Sequence, residues 1–342
     1  MSKKTVIIAE AGVNHNGDYQ TALDLVKAAA DAGADFVKFQ TFKAGRLVSK
    51  VAAKAEYQIA NTGNSNDTQF EMLKKVEMPE EWHFSLKKYA EELGIEFLST
   101  GFDEESVDFL DNLGVSLHKI PSGELTNKPY LVHLASKKKP LVLSTGMADM
   151  KEVSDAIDIL VQHGVPKEQL TVLHCNTDYP TKMEDVNLGA MNYIANTLNM
   201  AVGYSDHTLG IEVPVAAVAL GATVIEKHFT LDKNMQGPDH AASLNPEELK
   251  AMVSAIRNIE KAVSGTGMKT PSLSESKNKV IARKSVHLKN SLAAGSKIGE
   301  ADLIMIRPGD GISPMDIDKV IGRTVNKDLE AGHKLLHTDL AE

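Results

Sequence analysis

An α/β fold, a (β/α)8 TIM barrel followed by a small β-rich domain, is what the sequence predicts. Three observations predict it. Short apolar runs recur through the first 230 residues, each followed by a segment of helical period. There are eight such runs, and with a closing helix they span about 260 residues, which fits a barrel in count and in length. Past that point the composition changes to a Gly-, Ser-, Thr- and Lys-rich stretch, and then to shorter strand-like runs and turns.

The strands are expected at Thr5–Glu10, Ala34–Thr41, Ile95–Ser99, Ser116–Ile120, Pro140–Thr145, Thr171–Asn176, Met200–Tyr204 and Thr223–Lys227. Most are almost continuously apolar, as strands covered on both faces should be. Helical period appears in Gln20–Asp31, Glu80–Leu93, Glu104–Leu113, Met150–His163 and Ile211–Leu220, with Leu249–Val263 as the closing helix. Gly33, Gly94, Gly114, Gly164 and Gly221 stand where left-handed C-caps would end helices before the next strand. An open doubly wound sheet would more often carry a glycine-rich phosphate turn after its first strand. Here Glu10-Ala-Gly-Val-Asn-His-Asn-Gly17 follows instead, so the barrel is favoured. The excursion Phe42–Met78, with its polar run Asn61–Asp67, is expected to lie over the barrel mouth as a lid or substrate loop. The expected division is a barrel over 1–265, a linker over 266–280 and a second domain over 281–342, whose stability alone would be marginal.

Composition narrows the function. With 37 basic and 46 acidic residues the net charge is −9, which argues against a nucleic-acid or anionic-membrane surface. An anionic substrate would need local lysines and arginines. The single cysteine, Cys175, excludes an internal disulfide and a cysteine-based zinc site, and is read as a packing residue. The N-terminus passes from Met-Ser-Lys-Lys directly into Thr5–Ala9, and no apolar run approaches the ~20 residues that span a bilayer. A cytoplasmic protein without membrane or nucleic-acid partners is expected.

Barrel enzymes carry their chemistry at the carboxyl ends of the strands, and every strand here ends in polar groups. The first delivers Glu10, then Asn14 and His15; the second Lys38 and Gln40; the third Ser99 and Thr100. The fourth delivers Lys119, then Ser122, Gly123 and Glu124, and the fifth Ser144 and Thr145. The sixth delivers His174, Asn176, Thr177 and Tyr179, and the last two bring Ser205, Asp206, His207, Glu226 and His228. Singly each has a structural reading: a solvated or ion-paired lysine, a helix N-cap at Ser144-Thr145, an internal ion pair at Glu10, a packed strand-end histidine. All eight strands ending this way points to an enzymatic site. Two lysines with hydroxyls and glycine at turns suit a phosphate. His207 and His228, on neighbouring strands about 4.8 Å apart, can face one metal ion or one substrate. As metal ligands they would form an open divalent site that polarises a carbonyl, its shell completed by substrate oxygens and water. A closed structural zinc site is disfavoured.

Nine motifs in order then carry a resemblance over essentially the whole chain: Asn14-His-Asn-Gly17, Val37-Lys-Phe-Gln-Thr41, Lys119-Ile-Pro-Ser-Gly-Glu124, Leu143-Ser-Thr-Gly-Met147, His174-Cys-Asn-Thr-Asp-Tyr-Pro180, Tyr204-Ser-Asp-His-Thr-Leu209, Glu226-Lys-His-Phe-Thr230, Gly237-Pro-Asp239 and Arg307-Pro-Gly-Asp-Gly311. The chain resembles the sialic acid synthase family, bacterial enzymes that condense phosphoenolpyruvate with an N-acetylated sugar. The resemblance implies a barrel followed by an antifreeze-like (SAF) domain. It implies Mn2+, or another divalent ion such as Mg2+ or Co2+, at His207 and His228, and phosphoenolpyruvate at Lys38, Thr100, Lys119, Ser122, Ser144 and Tyr179. Asn176 or Thr177 and Ser205 join the substrate set, Gln40 and Asp239 meet the sugar, and Glu10 and Glu226 manage protons. Arg307 would reach the partner subunit's barrel, making a domain-swapped homodimer. The implied reaction joins the enolpyruvate methylene to an open-chain aldehyde, adds water, and releases phosphate by C–O cleavage.

The sequence departs from a well-known branch of that family at Thr177, where the branch has Asn, at Gly101, where Pro is common, and at Arg283, where it has an aromatic. N-acetylmannosamine, giving N-acetylneuraminate, is the first-ranked sugar. A 2,4-diacetamido-2,4,6-trideoxymannose, giving legionaminate, is the alternative, and pseudaminate ranks third. Two other classes stay in view: a Schiff-base aldolase using Lys38 or Lys119, and ice or carbohydrate binding by the C-terminal domain alone.

Overall fold

The computed structural model describes residues 4–62 and 67–341. The chain divides into two units, Met1–Ser264 and Gly265–Glu342.

In the first unit, β1 (Val6–Gly12), α1 (Tyr19–Ala32) and β2 (Phe36–Thr41) form a parallel strand–helix–strand unit of the kind that repeats around the sheet. Three helices fill the excursion: α2 (Ala44–Leu47), α3 (Glu56–Thr62) and α4 (Gln69–Lys75). The alternation resumes with α5 (Glu80–Glu92), β3 (Glu96–Gly101), α6 (Glu104–Leu113), β4 (His118–Ile120), α7 (Lys128–Ala135), β5 (Leu141–Ser144) and α8 (Met150–Gln162). It closes with β6 (Leu170–Cys175), α9 (Gly189–Leu198), β7 (Ala201–Asp206), α10 (Glu212–Ala219), β8 (Val224–His228) and α11 (Pro246–Ala262). The eight strands are parallel in the hydrogen-bonded order β3-β2-β1-β8-β7-β6-β5-β4, and β3 packs beside β4 to close the barrel.

Strand period decides what each face holds. Ile7, Ala9, Val37, Phe39, Leu143, Val172 and Ile225 face the helices and join their apolar stripes in one large core. Ile8, Phe36, Leu98, Val142, Leu173 and Val224 pack together as an apolar layer on the barrel axis. β7 gives that layer Gly203, because a Cβ there would stand 2.2 Å from the Val224 carbonyl oxygen and 2.6 Å from Leu173. All five glycines expected as helix stops take positive φ, from 73° to 103°.

The structure adds to the expected elements in three places. α7 and α9, of 8 and 10 residues, were not among the expected helices, although α10 and α6, of the same lengths, were. The excursion, expected as a loop, holds three short helices; within its polar run, residues 63–66 lie outside the described residues. The segment expected as a linker carries most of α12 (Leu273–Ala282), started by a capping box between Ser272 and Glu275.

In the second unit, β9 (Ser285–Leu288) pairs antiparallel with β10 (Leu303–Ile306) over a small core of Val286, Leu288, Ile298, Leu303, Ile312, Val320, Val325, Leu329 and Leu335. Arg307 follows β10 directly and is exposed. No helix of the described residues is long and apolar enough to cross a membrane.

Candidate active site

Two residues beyond the apolar axial layer, the same strand faces turn polar. Ile8 gives way to Glu10, Phe36 to Lys38, Leu98 to Thr100, Val142 to Ser144, Leu173 to Cys175 and Val224 to Glu226. These side chains, with Lys119, Ser205, His207 and His228, line a cavity of about 340 Å³ at the carboxyl ends of the strands. The barrel floor is therefore apolar and the layer above it is charged.

Four of these groups form a buried alternating set. Lys38 Nζ lies 2.8 Å from Glu10 Oε2 and 3.6 Å from Glu226 Oε2, and Lys119 Nζ lies 3.5 Å from Glu226 Oε1. Lys38 donates to Thr100 Oγ1 at 2.9 Å, Lys119 to Ser144 Oγ at 2.7 Å, and Ser205 Oγ to Glu226 Oε1 at 3.2 Å. Burial pushes Glu10 up to about 7, against the pull of Lys38, and the charge of Glu226 adds to the rise. Burial also acts to raise Glu226, but Lys119, Lys38 and His207 outweigh it and hold that carboxyl below its ordinary value. Lys38 is likewise desolvated, yet Glu10 and Glu226 keep its pKa raised, whereas burial lowers that of Lys119. One carboxylate is thus kept ionised and its neighbour titrates near neutrality, a division of acid and base roles. Glu10 Oε2 and Glu226 Oε2 receive no well-directed hydrogen bond among the described residues.

The two histidines complete the wall. Their ring centroids are 5.4 Å apart, and the Tyr179 ring lies 4.0 Å from His207 and edge-on to His228 at 5.7 Å. His207 Nδ1 donates to the Asn176 carbonyl, which leaves its Nε2 as a lone-pair donor. Burial lowers His207 to about 4 and His228 well below its ordinary value, so both rings are neutral near pH 7. His228 Nδ1 is buried without a hydrogen-bond partner among the described residues, and Asp239 Oδ2 is 3.9 Å away. Two neutral, adjacent imidazoles with an orphaned nitrogen fit a divalent ion held with open positions. No cluster of three or more metal-ligating side chains occurs among the described residues.

The mouth is built by the excursion. Leu47, Val48, Met72, Leu73 and Val76 give the cavity an apolar wall, and Gln58 and Gln69 join it. Tyr57 on α3 packs on Tyr179 with ring centroids 4.9 Å apart. Asn61 Nδ2 donates to the Tyr179 carbonyl at 3.2 Å and the Pro238 carbonyl at 2.7 Å, fastening α3 to the loops that carry Tyr179 and Asp239.

Gln40, Thr100, Ser122, Ser144, Thr177, Tyr179, Ser205 and Asp239 all line the cavity. Gly146 makes room there: a Cβ would stand 2.2 Å from Thr177 Oγ1 and 2.8 Å from Ser122 Oγ, and its N–H donates to that serine at 2.9 Å. Asn176 is not among the lining residues; its amide donates to the Asp185 carbonyl at 2.8 Å, so of the adjacent pair it is Thr177 that faces the cavity. Arg307 belongs to the second unit. Sequence reasoning did not single out Tyr57 or Gln58, and it named Asn61 only as the start of the polar run in the expected lid.

A parallel barrel whose mouth gathers two imidazoles, two ammonium groups and two carboxylates defines an enzyme that can activate a carbonyl beside a bound anion. The chain belongs to the NeuB family, whose model matches residues 25–269, and a SAF domain matches 283–341; it is an enzyme whose relatives include acid synthases. It is 54% identical, over 96% of this chain and 93% of the relative, to the N,N'-diacetyllegionaminic acid synthase of Legionella pneumophila. The protein of the same name from Campylobacter jejuni is 50% identical over 95% of this chain and 97% of the relative. Among solved structures, the N-acetylneuraminic acid synthetase of Leptospira borgpetersenii, crystallised with citrate, matches with a TM-score of 0.71 at 33% identity, covering 81% of this chain and 90% of that one.

Proposed function

We propose that this enzyme condenses phosphoenolpyruvate with a 2,4-diacetamido-2,4,6-trideoxymannose in its aldehyde form, giving N,N'-diacetyllegionaminate and phosphate. One observation carries the reaction: the Lys38, Lys119, Glu10, Glu226, His207 and His228 side chains meet in one cavity. The sugar reading reverses the order expected from the sequence. The 54% and 50% identical relatives are named for legionaminate. The apolar wall of Leu47, Val48, Met72, Leu73 and Val76 also suits a deoxy methyl and a second acetamido group better than hydroxyls.

In this reading Lys38 and Lys119 hold the phosphate and carboxylate of the enolpyruvate, with Thr100, Ser122, Ser144 and Thr177 as hydroxyl donors. The methylene carbon attacks the aldehyde carbon, forming the C–C bond, and protonated Glu10 supplies the proton for the new alkoxide. Glu226, held ionised, takes a proton from the water that adds to the phosphate-bearing carbon. The tetrahedral intermediate then collapses: its hydroxyl oxygen forms the C=O of the product as the C–O bond to phosphate breaks, and the hydroxyl proton leaves on the phosphate. His207 and His228 would hold a divalent ion, Mn2+ or a related one, which when bound supplies Lewis-acid polarisation of the sugar carbonyl. Gln40 and Asp239 face the sugar. Arg307 of a second, domain-swapped copy would contact an acetamido group, and the enzyme would work in the cytoplasm.

The test is phosphate release and product mass with phosphoenolpyruvate, Mn2+ and each candidate sugar. Legionaminate formation preferred over N-acetylneuraminate supports the reading, and the reverse preference overturns its choice of sugar. A borohydride-trapped pyruvate adduct on Lys38 or Lys119, with activity intact in EDTA, overturns the reaction class. Arg307→Ala mixed with Lys119→Met should regain activity that neither variant has alone; no recovery overturns the trans role.

A further inference from the structure

Lys227 is fully buried, yet the cavity does not use it. Because Glu226 and His228 face the barrel axis, the residue between them faces the helices. There its ammonium donates to the Asp206 carboxylate on β7 and to the Thr208 carbonyl. Asp206 in turn accepts from the Thr208 N–H at 3.0 Å and from the Thr208 hydroxyl at 2.9 Å. Both charged side chains are 0% exposed.

The placement of this knot matters more than its energy. The β7–β8 ladder ends at the pair Asp206↔Lys227, so His207 stands one residue past the last rung while His228 is the last residue of its strand. Nothing in the β7–β8 ladder itself fixes His207 relative to His228. The two residues that flank His207, Asp206 and Thr208, are both held by Lys227, which is the immediate neighbour of His228. A buried ion pair is weak evidence for stability, since an apolar pair of similar volume is often as good. Its attested use is to fix geometry.

We propose that Lys227 and Asp206 are positioning residues that set the spacing of the two imidazoles, and with it the affinity for the divalent ion. The inference rests on the metal reading of the proposed function. Neither residue touches substrate or lines the cavity.

The experiment uses the full-length protein stripped with EDTA, and Mn2+ as the probe. Mn2+ affinity is measured by calorimetry or by loss of the free-ion electron paramagnetic resonance signal, without substrates, beside thermal unfolding of the apo form. Lys227→Met should bind Mn2+ roughly 10- to 100-fold more weakly, the usual effect of removing a ligand's supporting partner. Its turnover should recover as Mn2+ is raised, with the KM for phosphoenolpyruvate unchanged. A fall in unfolding temperature with unchanged Mn2+ affinity means a merely structural pair and overturns the proposal. Asp206→Asn, which keeps the shape and the Thr208 hydrogen bonds, serves if Lys227→Met does not fold: weakened Mn2+ binding supports the proposal, equal binding overturns it. Wild-type protein that binds no Mn2+ overturns the metal reading and this inference together; wild-type binding matched by the variants overturns the inference alone.

Discussion

Adjacent residues of one strand, Glu226 and Lys227, take part in two buried charge networks of opposite character. Outside the barrel wall, Lys227, Asp206 and Thr208 satisfy one another, and none of their polar side-chain atoms is left orphaned among the described residues. Inside, Glu10, Lys38, Glu226 and Lys119 alternate in sign, but Glu10 Oε2, Glu226 Oε2 and His228 Nδ1 lack well-directed partners among the described residues. Leaving a buried polar atom unmatched costs about 1–3 kcal/mol, a cost that the Lys38 charge offsets in part at Glu10 and Glu226 and that a bound ligand can offset further. The difference teaches that burial and charge alone do not mark an active site. Orphaned side-chain atoms also occur away from the cavity, at Asn14, His15, Asn176 and Tyr204, so what sets the inner network apart is the convergence of several such atoms on one cavity.

The comparison can be broken in graded steps. The largest expected effect is from Lys119→Met, which under the proposed function removes a donor to the phosphate and which leaves Glu226 with one cation fewer. Turnover should fall by about 10²–10³-fold, about 3–4 kcal/mol, by phosphate release, with circular dichroism showing an intact fold. An unchanged rate would mean that the inner network is structural after all.

Next comes a satisfied buried group in the outer wall. His83 is fully buried, with Nδ1 donating to the Pro79 carbonyl at 3.0 Å and Nε2 2.8 Å from the Thr41 hydroxyl. Burial lowers it from 6.5 to about 4. The unfolded chain therefore binds a proton in the window from 6.5 to 4 that the folded one refuses, and stability rises with pH across that window. The contribution is present above 6.5 and lost as pH falls to 4, about 3 kcal/mol at 1.36 per pH unit. His83→Gln should flatten this part of the pH dependence in denaturant melts, with activity at pH 7.5 little changed.

Glu10→Gln tests the inner carboxyl that titrates at about 7. Turnover should fall about 10²-fold, and the limb of the pH–rate profile near 7 should disappear. Retention of that limb would move the proton role to another group. The smallest effect is expected from Asn61→Ala, which unfastens α3 from the Tyr179 and Pro238 carbonyls. Two hydrogen bonds of about 1 kcal/mol each should raise the sugar KM about 30-fold, while the KM for phosphoenolpyruvate stays put.

Much of this molecule was legible in the chain. Eight apolar runs with helical segments between them imposed the barrel, because a strand buried on both faces cannot alternate. The strand ends at Glu10, Lys38, Lys119, His207, Glu226 and His228 stood out because all eight strands close on polar groups, but that pattern did not separate them from Asp206, which turns to the helices and pairs with Lys227. The α12 helix was missed although the capping pair Ser272 and Glu275 was in plain view, its composition resembling a linker. The roles of Tyr57 and Asn61 were not readable, since a polar excursion carries no period that says which side chain turns inward.

By itself, then, the sequence determined the barrel, the second domain and the side chains brought to the mouth, because local period and strand-end chemistry are written in consecutive residues. Only the tertiary structure decided that Thr177 rather than Asn176 faces the cavity, that α3 is fastened over it, and that Asp206 and Lys227 turn away from it to clasp each other. Those outcomes depend on strand register and loop approach, which bring together residues far apart in the chain and leave no mark on either segment alone.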